Sequence, residues 1–119
     1  MKFHRVLLFT TLQMDVTPVG EDLHVLLTSD NIPCIGCTSF SSPVPESDPP
    51  ECTTETINSC ENASDLFISY VAESLCRQTG KRVLCTGGVF VDQPDEHQTR
   101  KLYENIDELI RDWTMFLAD

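Results

Sequence analysis

Apolar residues follow two rhythms along this chain: short continuous runs dominate the first half and a helical period dominates the second. Val6–Met14 (VLLFTTLQM) is apolar and β-branched, which predicts a strand. Residues 15–20 (DVTPVG) have turn composition, and Leu23–Thr28 (LHVLLT) predicts a second strand. Ser29-Asp30-Asn31 signals another turn before a short third strand over Ile32–Thr38, with Pro33 suited to its first residues or to an edge. From Ser64 the period changes. Phe67, Val71 and Leu75 recur on a helical face flanked by Ile68 and Cys76, Ser64 can cap, and Gly80 suits a left-handed C′ position. Arg82–Val91 (RVLCTGGVFV) predicts a strand whose paired glycines, Gly87 and Gly88, imply a bulge or a close backbone approach. Pro94 pre-sets a first-turn φ, and a helix follows over 95–117 with Leu102, Ile106, Leu109, Ile110, Trp113, Phe116 and Leu117 on one stripe.

The order β-β-β, loop, α-β-α predicts an α+β fold, an antiparallel sheet with two helices packed on one face. In an antiparallel sheet with one wet face, strands alternate apolar and polar residues. Here Val6–Phe9, Val25–Leu27, Val83–Cys85 and Val89–Val91 are apolar without alternation, so both faces call for cover. Two helices cover one face. The other is expected to pair with a partner subunit, with Leu7, Phe9, Leu26, Leu84 and Phe90 as candidate interface residues.

Length and charge then narrow the classes. The chain has 119 residues, enough for one domain over 1–119 with its own core. Residues 41–63 hold four prolines and five acids with few apolar residues, which predicts a mobile acidic Pro-rich loop inside that domain. The net charge is −11, and no Lys or Arg falls between Val6 and Cys76 while eleven acids do. Such a surface repels phosphate backbones and anionic bilayers, so neither nucleic acid nor membrane is an expected partner. No apolar run reaches the ~18–20 residues of a membrane span, and Thr10, Thr11 and Gln13 interrupt the N-terminal run too early for a secretory signal. A reducing cytoplasmic setting is expected, with the nucleus as a second compartment, which leaves the six cysteines as thiols.

Chemistry is sparse. Cys34-Ile35-Gly36-Cys37 is the one reactive-looking pattern. A redox dithiol needs a helix N-terminus, and Thr38–Pro43 does not begin a good helix. As a zinc half-site the pair lacks a second C-x-x-C, since Cys52 and Cys60 are spaced too widely. His4, His24 and His97 form no metal-binding spacing, and no nucleophile elbow or phosphate-loop motif occurs. No catalytic residue, no cofactor and no metal are therefore expected, and the chain reads as a non-enzyme.

The run from Ala63 to Val91, with Val71-Ala72, Leu75, Thr79 and Lys81 at matching positions, resembles the proteasome assembly chaperone 4 family, or its sister chaperone 3. That resemblance covers about residues 63–117, where a helix runs directly into a strand before a long amphipathic helix. It implies a heterodimer with a paralogous chaperone subunit, sheets inside and helices outside, promoting assembly of the 20S proteasome α-ring through contact with proteasome α subunits, the α5 subunit among them. The alternatives are an unrelated small dimeric adaptor, or a redox or zinc protein working through Cys34 and Cys37.

Overall fold

A computed structural model describes residues 1–30, 35–58, 64–91 and 93–118. The elements are β1 (Lys2–Val6), β2 (Thr11–Val19), β3 (Asp22–Ser29), β4 (Cys37–Pro43), β5 (Cys52–Asn58), α1 (Ser64–Thr79), β6 (Val83–Gly88) and α2 (Glu96–Ala118). The strands form one six-stranded sheet in the order β1-β2-β3-β6-β4-β5. The fold is α+β as expected, but the sheet is mixed rather than antiparallel. β6 enters between β3 and β4 after the α1 crossover and runs parallel to β3 and antiparallel to β4.

The first expected strand is two strands. A reverse turn closed by the Leu7 N–H on the Thr10 carbonyl at 2.8 Å ends β1 at Val6. The apolar run that signalled a strand is therefore a turn, and Leu8 at its tip is fully exposed. β2 continues through the segment expected as a turn, as far as Val19. Pro18 is tolerated there. The N–H of its partner Leu23 donates to Arg82 in the other direction, so the proline's missing donor faces the sheet edge beyond β1. The chain reverses at Gly20, whose φ is +61°.

The expected strand over 32–38 lies partly outside the described residues, and β4 begins only at Cys37. The expected loop over 41–63 holds the end of β4 and all of β5, joined by a hairpin that the Val44 N–H closes on the Glu51 carbonyl at 2.9 Å. Low apolar content concealed this pair. Its helix-side positions carry hydroxyls instead, with Ser39 and Thr56 2.8 Å apart and Ser41 and Thr54 also 2.8 Å apart. Threonine is β-branched and suits strands, and each buried serine here has its hydrogen bond.

Alternation along the strands sends Leu12, Met14, Val16, Leu23, Val25, Leu27, Val83 and Cys85 to one face. Both helices lie on that face, α1 over β4, β5 and β6 and α2 over β1 and β2. α1 buries Phe67, Ile68, Val71, Ala72, Leu75 and Cys76, and α2 buries Leu102, Ile106, Leu109, Ile110 and Trp113. Both stripes match the helical period read from sequence; the side chains of Phe116 and Leu117 lie outside the described residues. Gly80 ends α1 with φ +70°, its N–H on the Cys76 carbonyl at 2.8 Å. α2 opens with a reciprocal cap: the Gln98 N–H donates to Asp95 Oδ1 at 2.7 Å, and the Asp95 N–H to Gln98 Oε1 at 3.1 Å. The helix therefore begins one residue after the acidic cap, not on it.

Candidate functional site

The sheet face away from the helices has no cover among the described residues. Register places Leu26 opposite Thr86, Thr86 opposite Thr38, and Thr38 opposite Ile57. In the next row His24 faces Leu84, Leu84 faces Phe40, and Phe40 faces Glu55. Leu26 and Leu84 are half-buried by their neighbours, while Phe40 and Ile57 are 40% and 75% exposed. Hydroxyls and an imidazole surround them, with His24 Nε2 3.3 Å from Thr86 Oγ1. Few charges belong to this face: Lys2 on β1, Asp15 on β2, Asp22 at the β3 start and Glu55 on β5. Arg82 Nε stands 3.6 Å from Asp22 and partly offsets it. On a chain of net charge −11, this is a comparatively neutral surface.

Of the five interface residues expected from sequence, Leu26 and Leu84 lie on this face. Leu7 and Phe9 belong to the β1–β2 turn and pack against the core under α2. Phe90 follows β6, half-buried, its N–H and carbonyl both bonded to the Ser29 hydroxyl at 2.9 and 3.2 Å. Phe40 and Ile57 also lie on this face; neither was expected from sequence, because each stands alone among serines, threonines and an acid. Alternation within Cys52–Asn58 is the signal that could have found Ile57.

A groove of about 570 Å³ lies at the β1 edge of the sheet, between the β1–β2 turn and the beginning of α2. Val6, Leu7, Leu8 and Phe9 form its apolar wall, and Asp95, His97, Gln98, Lys101 and Asn105 stand on its polar wall. Arg5 ties β1 to α2 nearby, its guanidinium paired with Asp112 and 3.8 Å from Glu108. Phe67, Tyr70 and Tyr103 stack between the helices, and Tyr70 donates its hydroxyl to Asp107 at 2.5 Å. That carboxylate raises the Tyr70 pKa, because it stabilises the protonated phenol.

Cys76 and Cys85 are unsuited to nucleophilic chemistry. Cys34 lies outside the described residues. Cys37 begins a strand, not a helix, and is buried. Burial pushes the Cys85 thiol far up, and burial together with a hydrogen bond donated to Cys52 pushes Cys76 up to about 12. Cys37, Cys52, Cys76 and Cys85 are thiols rather than disulfides. No three His, Cys, Asp or Glu side chains come together as a metal-binding group among the described residues. No described helix is long and apolar enough to cross a membrane.

Comparison with known proteins overturns the proteasome resemblance. A family model described as the prenylated flavin chaperone LpdD-like domain matches residues 9–118, and no curated protein matches the chain. The resemblance rested on Val71, Ala72 and Leu75, which are core residues, and on Thr79 and Lys81, which end the helix. Thr79 Oγ1 donates to the Leu75 carbonyl at 2.6 Å and accepts from the Lys81 N–H at 3.2 Å. Packing and capping demand such residues wherever a helix runs into a strand, so they do not distinguish one family from another. The assignment to 20S α-ring assembly, the paralogous heterodimer and the contact with proteasome α subunits are withdrawn with it. From residue 9 to residue 118, this chain belongs to the family of prenylated flavin chaperone LpdD-like domains.

Proposed function

We propose that this protein is a non-catalytic chaperone for a prenylated flavin, docking through the open face of its sheet on the partner protein that receives the flavin. The open face carries this reading. Half-buried Leu26 and Leu84, exposed Phe40 and Ile57, and the intervening threonines make a mixed surface with few charges. Mixed composition of this kind belongs to partners that meet and separate, whereas obligate interfaces are more apolar. Reversible contact is what a chaperone needs. The protonated thiols and the family description support a role without bond-making by the chain itself. A cytoplasmic setting accords with cysteines held as thiols.

The test is a loading assay. The apo form of a prenylated-flavin-dependent enzyme is mixed with the prenylated flavin, with and without this chain, and holoenzyme is followed by its absorbance. The chain should raise the rate or yield of holoenzyme while the flavin is recovered chemically unchanged. Leu84→Asp should abolish that effect together with co-elution of the two proteins. Equal loading with and without the wild-type chain would overturn the proposal.

A further inference from the structure

We infer that the groove between the β1–β2 turn and the first turns of α2 seats the ring system of the flavin, an inference that rests on the flavin-chaperone reading. Its volume of about 570 Å³ lies within the range of small-molecule sites, ~300–1,000 Å³. The depression on the open sheet face, beside Leu26 and Thr28, offers about 90 Å³, too little for three fused rings.

The two walls of the groove differ in kind, as the two ends of a flavin do. Leu7, Leu8 and Phe9 form a continuous apolar wall. Leu7 and Phe9 are anchored against the core, so this wall is held in place before any ligand arrives. Leu8 is fully exposed at the turn tip, and covering it with apolar ligand surface is favourable. The benzenoid edge of a flavin, with the isoprenoid carbons that prenylation adds, is that kind of surface.

Gln98, Lys101 and Asn105 recur at intervals of three and four, which places them on one side of α2. Each amide has one atom engaged. Gln98 Oε1 accepts from the Asp95 N–H at 3.1 Å, which leaves its NH2 group to donate. Asn105 Nδ2 donates to the Lys101 carbonyl at 2.7 Å, which leaves its oxygen to accept. The pyrimidine edge of a flavin carries two carbonyl acceptors and one imide N–H donor between them. Gln98 and Lys101 can donate to such carbonyls, and Asn105 can accept from such an N–H. The net charge of −11 disfavours an anionic tail, so recognition falls on the ring.

Equilibrium dialysis against a prenylated flavin mononucleotide tests this with the whole chain. Leu8→Asp and Asn105→Ala should each weaken binding at least tenfold, while Ile57→Asp on the open face binds as the wild type does. Leu8 has no packing to lose, so its variant should keep the native circular dichroism, and Asn105→Ala gives an independent reading. Wild-type binding that neither variant weakens would overturn the groove and leave the chaperone proposal standing. A wild-type chain that binds no flavin yet promotes loading would also overturn the groove alone. Failure in both assays would overturn the two together.

Discussion

Gly87 passes so close to Leu27 across the parallel seam of β3 and β6 that a Cβ on it would overlap the Leu27 carbonyl oxygen and stand 2.9 Å from its carbon. Its φ of +129° is also one that side chains rarely adopt. The close approach read from the paired glycines is therefore real, and it sits where β6 joins the two halves of the sheet. Gly87→Ala should cost at least ~2–3 kcal/mol, from backbone strain plus the displacement of β3. Urea denaturation would measure this, and a cost below about 1 kcal/mol would show that the seam can part.

Ile57 and Leu84 separate docking from stability. Ile57 is 75% exposed, so Ile57→Asp should change stability by about 0.5 kcal/mol or less. It should nevertheless weaken association with the receiving enzyme, since an unpaired carboxylate would then be buried in the contact. Analytical ultracentrifugation of the mixture against a thermal melt of the chain alone reads both effects. Unchanged association would move the docking surface elsewhere.

Trp113 is buried on the inner face of α2, and Trp113→Ala should cost about 3–5 kcal/mol. The polar side of the same helix is less uniform than its pattern suggests. Glu104 meets only Lys101 at 3.4 Å, and Glu104→Ala should change stability by about 0.5 kcal/mol or less. Asp112 instead holds Arg5 of β1, so Asp112→Ala should cost up to ~1 kcal/mol, more than Glu104→Ala, and part of that cost should be lost in high salt. Equal costs of the two variants in low salt would count against the Arg5 tether.

Thiol burial makes stability fall in alkali. In the unfolded chain Cys76 loses its proton near the usual value of 9.0, while in the fold it keeps it up to about 12. A pKa raised by folding means that the full contribution is present below pH 9 and is lost as pH rises toward 12. Cys85 adds in the same direction, because burial also raises its pKa. The melting temperature should therefore decline above pH 9, and Cys76→Ala should flatten that decline after allowance for the cavity it creates. Alkylation at pH 8 should reach half-buried Cys52 before Cys76 or Cys85. Early labelling of Cys76 would contradict its burial.

Both helices were legible in the chain itself, because a stripe such as Leu102, Ile106, Leu109, Ile110 and Trp113 can serve only one face of one helix. So were the left-handed end at Gly80 and the close approach at Gly87, since both follow from the missing Cβ. Strand boundaries were not. Leu7–Phe9 is as apolar as a strand and is a turn, whereas Cys52–Asn58 is nearly devoid of apolar residues and is a strand. What separates them is pairing: Thr54 and Thr56 find Ser41 and Ser39 across a hairpin, and such partners are distant facts that no local run records. The parallel seam of β3 and β6 is likewise a consequence of where the α1 crossover returns the chain. The groove required the same assembly, since Leu8 and Asn105 lie far apart in sequence and line one groove because Arg5 and the core hold β1 beneath α2. Periodicity is a property of consecutive residues and determines which face of an element is buried; which elements then become neighbours is decided by burial summed over the whole chain.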